Sequence, residues 1–74
     1  MVRAWIIMQT EAGMAAGVAR QVAEIPGVTR ADQVLGYYDV IACADAANAA
    51  ELTELVTGSI QAVPGITRTL TCWR

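Results

Sequence analysis

The chain has 74 residues, five basic against seven acidic, a net charge of −2 and a pI near 4.7. That length makes one domain, residues 1–74, and the scattered arginines (Arg3, Arg20, Arg30, Arg68, Arg74) lack the clustered basic face of a nucleic-acid binder. With no histidine and only two cysteines, Cys43 and Cys72, the sequence excludes His-based catalysis, zinc or haem sites and a disulfide framework, and no cofactor is expected.

Val2–Gln9 is rich in β-branched and aromatic residues and reads as a first strand. Thr10 is a plausible N-cap for the helix that follows, with Glu11 favoured in its first turn by the helix dipole. Met14, Val18, Val22 and Ile25 mark one helical face, and Pro26-Gly27 ends the helix. Small residues (Ala12, Gly13, Ala15, Ala16, Gly17, Ala19) crowd this helix and point to a close approach to a sheet. Val28–Leu35 is a second strand of mixed polarity, Gly36-Tyr37 a turn, and Tyr38–Ala44 a third strand that is apolar in both alternating sets. Asn48 or Asp45 caps a second helix, where Asn48 and Glu51 have capping-box spacing. Leu52, Leu55, Val56, Ile60 and Val63 line its buried face, Pro64-Gly65 stops it, and Ile66–Trp73 is the fourth strand.

The chain also repeats itself. Shifted by 38 residues, Ile25-Pro26-Gly27-Val28-Thr29-Arg30 falls on Val63-Pro64-Gly65-Ile66-Thr67-Arg68, so two β-α-β halves meet at Gly36–Asp39. The order β-α-β-β-α-β is the ferredoxin-like split βαβ arrangement, an α+β fold. Right-handed crossovers place the first and third strands at the centre of a four-stranded antiparallel sheet, with both helices on one face. The central strands are apolar on their second face too (Trp5, Ile7, Ile41, Cys43), whereas a wet face should be polar. An apolar fraction of 55%, above the usual 45–50%, has to be hidden somewhere. A second copy of the chain is the economical cover, burying about 800 Å² per partner for a stable complex. No apolar run approaches the roughly 20 residues of a membrane span, and no charged start precedes an apolar signal core, so a cytoplasmic protein without membrane partners is expected.

Gly36-Tyr37-Tyr38-Asp39 is the stretch with the composition of a recognition loop. It reads either as a hairpin turn, with glycine at positive φ and Asp39 accepting turn amides, or as a loop offering backbone N–H groups, two phenols and a carboxylate to a small polar ligand. Asp39 sits at an exposed strand end or faces a cation such as an ammonium group. Thr67, Thr69 and Thr71 alternate along the last strand, as edge-strand propensity allows, and such a row also suits a carboxylate. Trp73 caps the core or meets another subunit. Cys43 and Cys72 read as buried, inert thiols separated by the first strand, roughly 9–10 Å apart by sheet spacing and beyond disulfide reach.

These residues together resemble the effector-binding domain of the Lrp/AsnC family, also called RAM. The resemblance rests on Pro26-Gly27-Val28, the Gly36-Tyr37-Tyr38-Asp39 corner, Val63-Pro64-Gly65-Ile66 and Thr69-Leu70-Thr71, and it covers the whole chain. It implies a homodimer packed sheet to sheet as a dimeric α/β barrel, associating further into tetramers to octamers, with an amino acid or related small metabolite bound between dimers. Carried over to this sequence, it places Val34, Leu35, Gly36, Tyr37, Tyr38 and Asp39, with Thr71, Cys72 and Trp73 of the last strand, at the ligand. Asp39 would meet the ligand's α-ammonium, and the Gly36 and Tyr37 amides and a threonine hydroxyl its carboxylate. The chain starts at its first strand, where full-length members carry a helix-turn-helix. The expected role is therefore a stand-alone transcription-regulation module that does not itself bind DNA and tunes a full-length Lrp/AsnC regulator by mixed assembly. A ligand-free oligomerisation module is the alternative. An enzyme is not expected, since nothing serves as acid, base or nucleophile.

Overall fold

The computed structural model describes residues 1–74. The elements are β1 (Val2–Thr10), α1 (Ala15–Ala23), β2 (Val28–Gln33), β3 (Val40–Ala46), α2 (Ala49–Glu54), a π-helical segment (Leu55–Ile60) that continues α2, and β4 (Ile66–Trp73). The four strands form one antiparallel sheet in the order β2-β3-β1-β4, the ferredoxin-like arrangement expected, and within one chain the sheet is open.

Alternation along the central strands sorts the core. Ala4, Ile6 and Met8 of β1 and Val40, Ala42 and Ala44 of β3 are fully buried beneath the helices, against Val18 and Val22 of α1 and Leu52, Val56, Ile60 and Val63 of the second crossover. The apolar residues of that crossover recur every four residues. Such a stripe drifts off one face of a 3.6-residue helix, and the wider π turn keeps Val56 and Ile60 over the sheet with Leu52. The Gln61 N–H to Val56 carbonyl bond (3.0 Å) carries the widening.

The two halves lock together through their Pro-Gly turns. Gly27 and Gly65 have φ of 99° and 98°, a region that L side chains avoid. The Gly27 carbonyl accepts the N–H of Asp45 (2.9 Å), and the Gly65 carbonyl that of Glu11 (2.8 Å). A Cβ on Gly27 would lie 2.5 Å from Leu55 Cδ1, and one on Gly65 2.7 Å from Met14 Cε. Each glycine thus takes a contact from the other half.

Four boundaries differ from the sequence reading. β2 ends at Gln33 instead of Leu35, because Val34 and Leu35 belong to the corner. Thr10 is the last residue of β1 and caps nothing; α1 begins after Met14, which makes no side-chain cap. Glu11 lies before the helix, with its amide committed to Gly65. β3 begins at Val40 and runs through Asp45, because Tyr38 and Asp39 belong to the corner and Asp45 pairs with Arg3. Asn48 alone caps α2, accepting the Glu51 N–H at 2.9 Å.

The sheet face away from the helices carries Trp5, Ile7, Ile41, Cys43, Leu70 and Cys72. Trp5 and Leu70 remain 39% and 47% exposed. Ile7 pairs in register with both Ile41 and Leu70, and Trp5 with both Cys43 and Cys72. Cys43 is buried, as expected, but Cys72 is exposed, because it lies on an edge strand with nothing over it. Arg3–Asp45 and Arg30–Asp32 ion pairs border this apolar patch. The Arg3 guanidinium binds both Asp45 oxygens, at 2.8 and 3.2 Å. Those hydrogen bonds hold the Asp45 carboxyl below its ordinary pKa against a partial desolvation that raises it, and they raise that of Arg3.

Candidate functional site

The corner between β2 and β3 is built on the end of β1. The Asp39 N–H donates to the Met8 carbonyl and the Val34 N–H to the Asp39 carbonyl, each at 2.9 Å. The Asp39 side chain then reaches along the edge of β1 to its end, where its Oδ2 accepts the Thr10 N–H at 2.8 Å, leaving Oδ1 without a partner inside the chain. From the other side of the turn, the Gln9 amide donates to the Tyr37 carbonyl at 3.3 Å. Gly36 turns the chain at φ 140° with open space around it.

This bracing frees the tip. The backbone N–H groups of Gly36, Tyr37 and Tyr38 donate to nothing inside the chain. Leu35 is fully exposed and Tyr37 is 82% exposed, while the two tyrosine rings meet edge to face with centroids 5.3 Å apart. Free backbone donors and a carboxylate with one unpartnered oxygen, all within four consecutive residues, offer an anion and an ammonium group complementary partners.

The nine residues singled out from the sequence divide between two places. Val34, Leu35, Gly36, Tyr37, Tyr38 and Asp39 share the corner. Thr71 pairs with Ile6 and Trp73 with Ala4, while Asp39 lies beyond Met8 on the opposite side of β1. By strand rise and spacing that separates them by roughly 15–20 Å. Cys72, opposite Trp5, points to the open sheet face. Within one chain, the corner and the last strand do not form a single site.

Thr71 and Trp73 belong instead to a groove where the second crossover leaves β4 uncovered. Thr53, Val56, Thr57, Gln61, Thr69, Thr71 and Trp73 line a cavity of about 360 Å³. The Gln61 amide donates to Thr69 Oγ1 (3.0 Å) and the Thr57 hydroxyl to the Thr53 carbonyl (3.0 Å). Thr67 leaves the alternating row because a β-bulge shifts the β1–β4 register between Gln9 and Thr10. Sequence reasoning missed Gln9 and Thr10 as braces and Thr53, Thr57 and Gln61 as groove residues. The braces act through a strand-end amide and a backbone N–H, which leave no mark in a hydropathy pattern; the groove exists only because α2 stops short of β4.

The family model for the Lrp/AsnC ligand binding domain matches residues 3–73. The chain belongs to this family. Among solved structures, FFRP-DM1 superposes with a TM-score of 0.93 at 32% identity over 100% of this chain and 99% of its own. The protein PHS023 from Pyrococcus horikoshii has the same score and identity, over 100% and 89%. E. coli AsnC shares the fold at 19% identity and a TM-score of 0.89, with this chain spanning 99% of its own length and half of that chain. The transcriptional regulator NMB0573 from Neisseria meningitidis, solved as its L-Met complex, shares the fold at 17% identity and a TM-score of 0.83, over 99% and 49%. No curated protein matches the chain. Membership in this family makes the chain a ligand-binding domain of the kind found in transcription regulators, and no helix in it is long and apolar enough to cross a membrane.

Proposed function

We propose that this Lrp/AsnC domain is an amino-acid sensor that works as a homodimer and higher assemblies, tetramer to octamer, in the cytoplasm. It tunes a full-length Lrp/AsnC regulator by mixed assembly and binds no DNA itself. The observation that carries the reading is the corner: Asp39 holds one carboxylate oxygen free for an α-ammonium beside the unpaired N–H groups of Gly36 and Tyr37, which suit an α-carboxylate. The L-Met complex of NMB0573 supports an amino acid as the ligand class. The exposed apolar face over Trp5, Ile7, Ile41 and Leu70 supports sheet-to-sheet pairing, since water-facing apolar area of this kind is stabilised by burial at about 25 cal/mol per Å².

The test is calorimetry and thermal shift against the twenty amino acids, with Asp39→Asn as control. The asparagine amide still accepts the Thr10 N–H but offers an ammonium group no charge. Binding by the wild type that is lost in Asp39→Asn supports the sensor. A flat screen at millimolar concentrations with an intact dimer overturns it and leaves a ligand-free oligomerisation module, the reading that the apolar face alone favours.

A further inference from the structure

The corner supplies partners for the parts common to every amino acid, so discrimination must come from elsewhere. We infer that the effector's side chain is uncharged and enters the groove between the π-helical segment and β4 of a second copy. This rests on the amino-acid reading of the corner and specifies the ligand further.

The groove's chemistry is restricted. Its seven lining residues are four threonines, a glutamine, a valine and a tryptophan, none of which ionises near neutral pH. An ammonium or carboxylate entering it would shed water against dipoles alone, with no counter-charge. A neutral side chain meets no such penalty. The Gln61 amide oxygen accepts no bond within the chain, and Thr69 Oγ1, already accepting from Gln61, keeps its proton to donate. Val56 and the half-exposed Trp73 ring add an apolar wall. An amide or hydroxyl attached to a short apolar stem matches this mixture. The Gln61–Thr69 hydrogen bond divides the groove from a smaller cleft of about 250 Å³ lined by Gln61, Ile66, Thr67, Arg68 and Thr69. Arg68 is the one charged residue lining either space, so an anionic ligand would be drawn there instead.

Two copies are needed because β1 stands between the corner and the groove: Asp39 binds Met8 from the β3 side, whereas Thr69, the groove residue nearest to it, pairs with Met8 on the β4 side, roughly 10 Å away by strand spacing, and Thr71 and Trp73 lie farther still. A corner of one copy set against the groove of another is a head-to-tail contact, of the kind that closes into rings.

The experiment uses near-isosteric pairs differing in charge: L-glutamine against L-glutamate, L-asparagine against L-aspartate, and L-norleucine against L-lysine. Each is titrated into the full chain carrying Trp5→Phe, so that Trp73 alone reports. The neutral member of at least one pair is expected to bind about tenfold or more tightly than its charged partner and to change Trp73 emission. Thr57→Asp, which places a carboxylate in the groove, should reverse the norleucine–lysine preference. Equal or tighter binding of the charged members overturns the inference, as does binding that leaves Trp73 silent and ignores Thr57→Asp; in either case the sensor reading stands. Neutral ligands that bind Asp39→Asn as tightly as the wild type and still change Trp73 emission overturn the shared site. A wild type that binds no amino acid removes both.

Discussion

The carboxylate of Asp39 accepts the backbone N–H of Thr10 at the end of β1 (2.8 Å). One side chain therefore holds the corner in place and presents its second oxygen outward. Asp39→Ala strands a half-buried amide, which costs about 1–3 kcal/mol, whereas Asp39→Asn preserves the acceptor. Urea unfolding should find the alanine variant clearly destabilised and the asparagine variant close to wild type. Equal losses would mean that charge, and not the Thr10 bond, anchors the corner.

The register pairing of Ile7 with Ile41 at the centre of the open face makes either residue a probe of assembly. A charge there is tolerated by a solvated monomer and not by a covered face. Ile7→Asp and Ile41→Asp should each give a folded monomer, or unfold if the monomer lacks stability of its own, as chains this small often do. Light scattering with circular dichroism distinguishes these; two folded dimers would rule out sheet-to-sheet packing.

Gly27 combines a positive φ with Leu55 Cδ1 2.5 Å from where a Cβ would stand. Gly27→Ala should cost about 1–2 kcal/mol from backbone conformation alone and more from the clash. Gly13→Ala, at φ 81° with nothing within 4 Å, carries the first cost only. Adding Leu55→Ala to Gly27→Ala should recover the clash portion, so the double mutant will be less destabilised than the sum of the singles. Additivity would show that Leu55 does not press on the turn.

The Arg3–Asp45 pair sets a pH dependence. Asp45 has a folded pKa below its unfolded value of about 3.9, because Arg3 donates hydrogen bonds to its ionised form. Its contribution is therefore present above pH ~4 and is lost as the pH falls through the folded pKa. Asp45→Asn should flatten the acid limb of a stability–pH profile. The effect will be small and will shrink in salt, since the pair is solvent-exposed.

Much of the fold was legible because periodicity carries it. The four-residue stripe from Leu52 to Ile60, the Pro-Gly stops and the apolar centre of the sheet each have a signature in residue order. The Asn48 cap was legible for the same reason. What was not legible depends on contacts between distant residues. Thr10 has the side chain of a cap, but its amide is taken by Asp39 from 29 positions away, which keeps it in the strand. Asp45 suits a helix start equally well, and Arg3, adjacent once β1 and β3 pair, together with the Gly27 carbonyl that takes its N–H, makes it a strand residue. The corner was recognisable by its Gly-Tyr-Tyr-Asp composition. The separation of Thr71 and Trp73 from it follows from strand order and register, which fix distances that spacing along the chain does not.

Arg74 donates its N–H to the Arg3 carbonyl at 3.0 Å, so both ends of the folded chain leave from one pole, while Gly36 and Asp39 occupy the other. A tether, fluorophore or fused domain attached at either end would thus stand a full strand length, about 20 Å, from the corner. The same adjacency lets a short linker join the ends and new termini open at the exposed Leu35–Tyr37 tip. Such a circular permutant would keep the sheet while cutting the corner's backbone, separating what the loop does from what the scaffold does.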